Sequence, residues 1–378
     1  MFNFKKNFFY KISGFSLRSN NIFVFGAWFG ERFGDNPKYL LMEMLNSNAF
    51  KNKKFIWVGN DSLAKKINDR RITFVQRNSF KSIFYQLRAK NFFFTHGYQD
   101  FGDYSFLKGA KCFQLWHGFP IKRIGADSPI TPNEGKKIYE KYQYFLANST
   151  VMAERMKTAF SRYGAQNENI LIASTPRVDY LRENSNNFSL KSVIKNKLGI
   201  DSRKFVITYL PTFRDRSNEI FSFQKSNNKE FDRMLKKKNA ILLERQHFVK
   251  RRLNIGNRTG NYFDLDETID TQDILLITDL LISDYSSVYV DFITLDKPII
   301  HFLYDGNNYL KKDRGIYASE PRTEFAGPIA YTMSDLISLI NERKGTFEKY
   351  RKNAIKNLKF DYNSNLRFID LYKNSLNN

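Results

Sequence analysis

The stretch "CFQLWHGFPIKRIG" (residues 112–125) decides how the chain folds. Its apolar run stops at His117, and Gly118 and Pro120 prevent the strand from continuing. Similar short runs rich in Phe, Ile and Val recur between residues 22 and 174, and most are separated by stretches with helical character. This pattern predicts a parallel sheet that is covered by helices on both faces.

A second series of apolar runs begins with "FVITYLP" (205–211), after a polar segment at 182–200 that contains few strand formers. The chain is therefore predicted to be an α/β protein with two doubly wound parallel-sheet domains that face a central cleft. Such sheets bind ligands at the carboxyl ends of their strands, so functional residues should follow strands directly. The predicted divisions are an N-terminal domain at 1–188, a C-terminal domain at 189–355 and a helical tail at 356–378.

Composition limits the classes of function. The chain has 378 residues, of which 42% are hydrophobic, so wholesale disorder is excluded. Cys112 is the single cysteine, which rules out an internal disulfide or a cysteine-based zinc site. The formal charge of +23 favours a polyanionic partner, namely nucleic acid, anionic lipid or a phosphate-rich substrate. Because no zinc-finger spacing or RNA-recognition signature occurs, no nucleic-acid partner is predicted.

The first 20 residues are basic and aromatic, but charges interrupt every apolar run, so neither a signal peptide nor a spanning helix is expected. Phe4, Phe8, Ile12 and Phe15 recur at helical spacing. Two interpretations stay open: an amphipathic helix on an anionic membrane, or a helix packed on the first domain. We expect a cytoplasmic protein that lies peripherally on the inner face of the cell membrane.

His117 is the first candidate for chemistry, because an imidazole at a strand's end faces the cleft and can take a proton near neutral pH. Lys122 and Arg123 would hold negative charge nearby. The alternative is a structural histidine that forms hydrogen bonds in a turn. Gly30 and Asp35 belong to a glycine-spaced loop that we interpret as the acceptor-side wall of the cleft, since it matches neither the dinucleotide fingerprint nor the P-loop.

The second domain offers candidate ligands for phosphate just after its strands. They are Thr212, Arg214, Arg245, His247, Asp284, Ser286 and Ser287. Arg245 and His247 point to the same side of an extended chain, and an arginine fork beside an imidazole suits a pyrophosphate. The free N–H groups and hydroxyls of Ser286 and Ser287, where a helix is predicted to begin, would grip a phosphate. An exposed basic strand end and ordinary helix caps are the respective alternatives.

Two other histidines are weaker candidates for a functional role. His96 ends the run "FFFTH" and would face the cleft, whereas His301 lies inside an apolar strand and is expected in the core. No two histidines have the helical spacing of metal ligands, so no protein-bound metal and no cofactor are predicted.

Together these stretches resemble the CDP-glycerol glycerophosphotransferase family, which includes teichoic-acid primases and polymerases. "LWHGFPIKRIG" is similar to that family's "WHGTP(L/I)KK(L/I)G", and "LPTFRD" contains its "PTFRD". The run from 273 to 300 resembles its "D…ADVLITDYSSVFFDF…KPI", and "RGIY" with "AGPI" resembles its "RGFY…PGPI". Phe119 stands where the family has threonine, and Phe248 stands where it often has proline.

The resemblance implies a GT-B fold with the acceptor on the N-terminal domain and the nucleotide on the C-terminal one. It makes His117 the catalytic histidine, His247 a second essential histidine, and Ser286 and Ser287 ligands of the donor phosphate. The implied reaction moves glycerol phosphate, or another polyol phosphate, from a CDP-linked donor to a hydroxyl of a lipid-linked cell-envelope glycan of teichoic-acid or capsule type, and CMP leaves. A glycosyltransferase that uses a nucleotide sugar, and a non-enzymatic polyanion-binding protein, are the alternatives.

Overall fold

The computed structural model describes residues 2–129, 140–212, 221–245, 258–266, 269–306, 315–343, 345–360 and 366–377. The chain divides into two compact units. Unit 1 comprises Met1–His117, Thr131–Asp179 and Asp361–Asn378, and unit 2 comprises Gly118–Ile130 and Tyr180–Phe360. The chain therefore passes into unit 2 directly after His117, and its last residues, Asp361–Asn378, belong to unit 1.

Each unit is built on one seven-stranded sheet flanked by helices. The strands are β1 Ser19–Phe25, β2 Lys54–Gly59, β3 Ile72–Gln76, β4 Ala89–Phe94, β5 Lys111–Gln114, β6 Tyr144–Ala147, β7 Ile170–Ile172, β8 Phe205–Tyr209, β9 Ala240–Glu244, β10 Arg258–Thr259, β11 Tyr262–Asp264, β12 Leu280–Ser283, β13 Ile299–Phe302 and β14 Ile329–Ala330. The helices are α1 Phe2–Ser13, α2 Asp35–Leu45, α3 Phe80–Arg88, α4 Thr150–Ala159, α5 Pro176–Asn184, α6 Phe188–Lys197, α7 Phe223–Ser226, α8 Lys229–Lys237, α9 Thr271–Ile277, α10 Val288–Phe292, α11 Met333–Ile340, α12 Gly345–Leu358 and α13 Phe368–Asn377.

The sheet of unit 1 is parallel throughout and has the order β3-β2-β1-β4-β5-β6-β7. The apolar runs found in the sequence become these strands because a parallel sheet buries both of its faces. The chain builds outward from β1 to β3 and then returns to place β4 on the other side of β1. The carboxyl ends of β1 and β4 therefore form the topological switch point, where doubly wound sheets bind ligands.

Aromatic side chains fill one face of this sheet. The rings of Phe93 and Phe113, which are partners in register, are stacked with centroids 5.0 Å apart. Helix α13 covers them, with Phe368 and Tyr372 buried in the same core. The hydroxyl of Tyr372 also donates to Oδ1 of Asn91 at 2.9 Å. The predicted C-terminal helix is therefore part of the core of unit 1.

The sheet of unit 2 has the order β10-β11-β9-β8-β12-β13-β14, so its switch point lies between β8 and β12. The predicted strands of the second series are all present. The antiparallel hairpin β10–β11 was not predicted, because its strands are too short to show a period of two. Helix α11 begins after a capping box of Thr332 and Asp335.

Helix α1 lies against unit 1 through Phe9, whose ring contacts those of Tyr104 and Phe106 at 4.9 and 5.5 Å. Among the described helices, none combines the length and the hydropathy that crossing a bilayer requires.

Candidate active site

The switch point of unit 1 gathers three rings from three strand ends. Trp28 follows β1, His96 follows β4 and His117 follows β5. The two imidazoles stack with centroids 4.3 Å apart and planes 9° from parallel. The indole of Trp28 lies 5.0 Å from His96 and 4.9 Å from His117. The sequence placed His117 after a strand, and the structure adds a second histidine in direct contact with it.

Backbone strain is concentrated at this cluster. Trp28, Phe29 and Trp116 have φ values of 51°, 57° and 55°, in the left-handed region that bulky residues avoid. Each such residue costs about 1–3 kcal/mol, and strain of this kind persists where the surrounding structure fixes it, often at functional sites. Gly30 follows with φ 81°, and a Cβ there would lie 2.8 Å from the side chain of Arg77. The loop that was predicted to form a wall is therefore held in one unusual conformation.

Asp100 holds the loops after β1 and β4 together. Its carboxylate is fully buried and accepts from the N–H groups of Thr95 at 2.8 Å, His96 at 3.0 Å and Phe29 at 2.7 Å. It also accepts from the hydroxyl of Thr95 at 3.1 Å. Sequence analysis missed this residue. A carboxylate four residues after His96, in a turn that follows a buried strand, is the signal that could have identified it.

A second network fixes the other side of His117. The guanidinium of Arg177 donates to the carbonyl of His117 at 2.6 Å and to Oδ1 of Asp35 at 3.0 Å. The indole N–H of Trp28 donates to the other oxygen of Asp35 at 3.0 Å. The side-chain amide of Asn36 donates to the carbonyl of Trp116 at 3.0 Å. Asp35 was predicted to face the acceptor, and its two oxygens are engaged in orienting Trp28 and Arg177.

The environment of His117 favours the neutral ring. Burial lowers the pKa of this imidazole well below its usual range, and the neighbouring His96 and Arg177 lower it further, while a hydrogen bond with the backbone of Thr95 opposes the shift. Among the described residues, Nδ1 of His117 is buried and has no hydrogen-bond partner. The ring thus keeps an uncommitted lone pair at neutral pH.

Lys122 and Arg123 lie in unit 2, whereas His117, Gly30 and Asp35 lie in unit 1. The backbone of Lys122 pairs with that of Ile316, and the N–H of Arg123 donates to the carbonyl of Gly315 at 3.2 Å. The hydroxyl of Tyr317 closes this contact by donating to Asp127 at 2.7 Å. Two motifs that are distant in the sequence, "IKRIG" and "GIY", therefore meet within unit 2.

In unit 2, three candidate donor ligands meet at the switch point. Oδ1 of Asp284 accepts from the N–H of Thr212 at 2.8 Å, from its hydroxyl at 2.5 Å and from the N–H of Ser286 at 3.2 Å. Asp284 is fully buried, so it organises the loop from within. Ser287 is the cap residue of α10, but its hydroxyl makes no capping hydrogen bond. Both serines are partly exposed.

Two buried side chains hold the loop after β12 and the neighbouring end of β9 in place. The guanidinium of Arg245 donates to the carbonyl of Ile269 at 2.6 Å and to Oγ1 of Thr271 at 2.9 Å, which ties the end of β9 to the start of α9. Its predicted contact with phosphate stays a prediction. Nδ1 of His301 lies 3.2 Å from the carbonyl of Asp284. As expected from its apolar strand, His301 is a core residue.

Arg214, His247 and Phe248 lie outside the described residues. Their predicted roles at the donor pyrophosphate therefore stay predictions. Within the described ranges, no group of three or more His, Cys, Asp or Glu side chains is arranged to hold a metal ion.

Comparison with known proteins adds independent findings. A family model described as CDP-glycerol:poly(glycerophosphate) glycerophosphotransferase matches residues 8–365. The chain is 26% identical over 356 residues to a teichoic acid poly(glycerol phosphate) polymerase of Bacillus spizizenii, with 89% of this chain and 86% of the relative covered. It is 27% identical over 349 residues to a teichoic acid glycerol-phosphate transferase of Staphylococcus aureus, with 88% and 87% covered. The chain is also 26% identical to a longer polymerase of Bacillus subtilis. This alignment covers 84% of this chain and 43% of the relative.

Among solved structures, the wall teichoic acid polymerase TagF is similar to this chain, with a TM-score of 0.76, 23% identity, and coverage of 95% of this chain and 89% of that one. At this level of identity the likeness establishes the fold. A TagF variant soaked with CDPG aligns with a TM-score of 0.73, 23% identity, and coverage of 94% and 88%.

Proposed function

The chain belongs to the family of CDP-glycerol:poly(glycerophosphate) glycerophosphotransferases, and we propose that it transfers glycerol phosphate from CDP-glycerol to a hydroxyl of a teichoic-acid-type acceptor. The assignment of residues rests on where the motifs lie in the two sheets. The "WHG" residues lie at the switch point of one sheet, and the "PT" and "SDYSS" residues lie at the switch point of the other. These are the two places where doubly wound sheets present ligand-binding groups.

In the proposed reaction, the oxygen of the acceptor hydroxyl attacks the phosphorus of the glycerol phosphate group. The bond from that phosphorus to the bridging oxygen of the pyrophosphate breaks, and CMP leaves with the electron pair. The hydroxyl proton passes to the imidazole of His117, which burial keeps neutral at pH 7. Positioned general-base help is worth about 10² to 10⁴ in rate.

The donor is proposed to bind unit 2 through Ser286, Ser287 and the N–H groups that begin α10. The carboxylate of Asp284 supports this role, because it ties the hydroxyl of Thr212, after β8, to the N–H of Ser286, after β12. N–H groups at a helix start have no acceptor within the helix and attract anions. Arg214 and His247 are proposed to add positive charge and a second imidazole beside the pyrophosphate.

The acceptor is proposed to be lipid-linked, and α1 is proposed to bring the protein to an anionic membrane. Phe8 and Ile12 are exposed on the side of α1 that does not carry Phe9, and Phe15 and Leu17 just beyond it are 90% and 81% exposed. An apolar row of this kind suits the headgroup boundary of a bilayer, with basic residues such as Lys11 nearby. The side chain of Phe4 lies outside the described part of the helix.

Arg18 belongs to the basic N-terminal segment but contacts unit 1. Its guanidinium is half-buried and donates to the carbonyls of Gln86, Ala89 and Phe106 at 2.7, 2.7 and 2.6 Å. Arg18 therefore anchors the segment that follows α1 to unit 1.

Flotation with liposomes containing anionic lipid tests the membrane proposal. The double variant Phe15→Ser with Leu17→Ser should float poorly at low salt, whereas the wild type should float at low salt and less at high salt. Phe188→Ser is the matched control, because this phenylalanine is 75% exposed on α6 in unit 2. Equal flotation of all three proteins would show that the segment after α1 does not contribute to membrane binding.

Incubation with CDP-glycerol, CDP-ribitol and a set of nucleotide sugars, each with a glycan acceptor that carries a terminal glycerol phosphate, tests the proposed reaction. We expect CMP release and extension of the acceptor with CDP-glycerol. CDP-ribitol is included because some relatives are ribitol-phosphate polymerases. Extension by a sugar, with no CMP from either CDP-polyol, would instead make the chain a glycosyltransferase.

A further inference from the structure

His96 is connected to a buried carboxylate through the hydroxyl of Thr95. This hydroxyl accepts from the N–H of Trp28 at 3.0 Å, donates to Asp100 at 3.1 Å and lies 2.8 Å from Nδ1 of His96. A threonine hydroxyl has one proton, and here the carboxylate receives it. Nδ1 of His96 must therefore carry the proton that it donates to Thr95. The tautomer of His96 is fixed, and its Nε2 holds the lone pair.

Thr95 also contacts the neighbouring imidazole. Its backbone forms a hydrogen bond with the ring of His117 that favours the protonated form, so the ring is the donor and the carbonyl accepts. One residue, Thr95, therefore anchors both rings, through its side chain on one side and its backbone on the other.

Stacking couples the two rings. At 4.3 Å and 9° from parallel, the plane of His96 prevents the imidazole of His117 from rotating about its Cβ–Cγ bond without a clash. Such a rotation would move the ring nitrogens away from the positions at which the imidazole can accept a proton. The indole of Trp28, 4.9 Å from His117, limits movement away from this stack.

The charged groups that face the pair come from every element packed around it. The carboxylates of Asp100 and Asp35 face His96, and Arg32 lies near both rings, while Arg177 faces His117. Burial is the largest cause of the lowered pKa of each imidazole. Both rings are therefore neutral at pH 7, and protonation of either disfavours protonation of the other.

We propose that His96 is a positioning residue for His117: clamped by Thr95 and Asp100, its ring fixes the plane in which His117 presents its imidazole to the acceptor hydroxyl. The inference rests on the proposed function, in which His117 is the general base. His96 itself is not assigned a contact with substrate. A displacement of about 1 Å at a catalytic group can cost on the order of 10²-fold in rate, so a residue of this kind acts on turnover.

Three substitutions separate the parts of the clamp. His96→Phe keeps the stacked ring and removes the bond to Thr95, His96→Asn keeps a polar group close to the position of Nδ1 and removes the ring, and His96→Ala removes both. For His96→Ala we expect kcat to fall about 10- to 100-fold, with KM for CDP-glycerol within about twofold of the wild type. His96→Phe and His96→Asn should lie between these limits. Phe80→Ala, at a 93% exposed ring on α3, is the matched control.

The pH profile adds a readout that a purely structural role would not change. A second imidazole that opposes protonation of His117 is absent from His96→Phe. The acid limb of kcat should therefore move to higher pH in this variant and stay unchanged in Phe80→Ala.

The ¹⁵N shifts of the imidazoles test the same inference without any activity. In the wild type, the ring of His117, assigned by comparison with His117→Asn, should be neutral with its proton on one nitrogen alone. In His96→Ala it should show a mixture of tautomers or a raised pKa. If the proposed function is wrong and the inference is right, the wild type releases no CMP while the ¹⁵N shifts agree with expectation. Unchanged kcat, unchanged acid limb and unchanged shifts of His117 in His96→Ala would overturn the inference.

Discussion

Substitution of Asp284 tests how the loops that are proposed to bind the donor are held in place. Its Oδ1 accepts three hydrogen bonds, two from Thr212 and one from Ser286, and the side chain is fully buried. Asp284→Ala leaves these three donors without their acceptor. The loops that follow β8 and β12 then lose an acceptor that ties them together.

The size of the effect follows from the geometry. A hydrogen bond to a charged group contributes about 1.5–3 kcal/mol, and three would give roughly 4.5–9 kcal/mol if they added. Removal of a buried carboxylate returns part of its desolvation cost, which amounts to several kcal/mol. We therefore expect Asp284→Ala to destabilise unit 2 by about 2–4 kcal/mol and to weaken CDP binding about 10-fold or more. Thr212→Val removes only the 2.5 Å bond and should cost about 1.5–3 kcal/mol.

Hydrogen exchange is the suitable assay, because the three tryptophans of the chain all lie in unit 1 and their fluorescence does not report on unit 2. Peptides that cover 205–212 and 280–288 should lose protection in Asp284→Ala, and calorimetry should show weaker CDP binding. Asp201→Ala is the control, since its ion pair with Arg203 is exposed to solvent and contributes little to stability. Wild-type protection and CDP affinity in Asp284→Ala would refute the proposed construction of the loop.

Further predictions concern stability, accessibility and turnover. Burial lowers the pKa of His301 to about 4, so the unfolded chain, with a pKa near 6.5, binds its proton first as the pH falls. Stability should then decrease between about pH 6.5 and 4 by roughly 3 kcal/mol from this group, and urea titrations of His301→Phe should show a flatter pH dependence. Cys112 is buried, and burial raises the pKa of its thiol, so a disulfide reagent at pH 8 should label it only after denaturation. Arg177→Lys loses the planar fork that joins Asp35 to the carbonyl of His117, so steady-state kinetics should show kcat lowered about 10-fold with little change in KM for CDP-glycerol.

Much of the fold could be predicted because runs such as "FFFT" and "LLIS" fit strands that are buried on both faces. The predicted strands of both units are present, and the residues after them lie at sheet edges, as the parallel arrangement requires. The hairpin β10–β11 could not be predicted, since two or three residues show no periodicity.

The contacts within the site depend on strand order, which local sequence does not specify. His96 and His117 stack because β4 and β5 are neighbours, and Trp28 joins them because β1 lies on the other side of β4. Asp100 could be recognised only once the loops after β1 and β4 were known to meet. Lys122 is five residues from His117, and the chain passes from unit 1 into unit 2 between them, so their shared site stays a prediction.

The central claim is that His117 removes the proton of the acceptor hydroxyl while the donor binds unit 2. Transfer of labelled glycerol phosphate from CDP-glycerol to acceptor, measured in a single turnover with His117→Ala beside the wild type, tests it most directly, with donor affinity determined by calorimetry on the same preparations. The account predicts a rate lowered by about 10² or more and an affinity for CDP-glycerol within about twofold of the wild type. Wild-type rates of transfer in His117→Ala would contradict it.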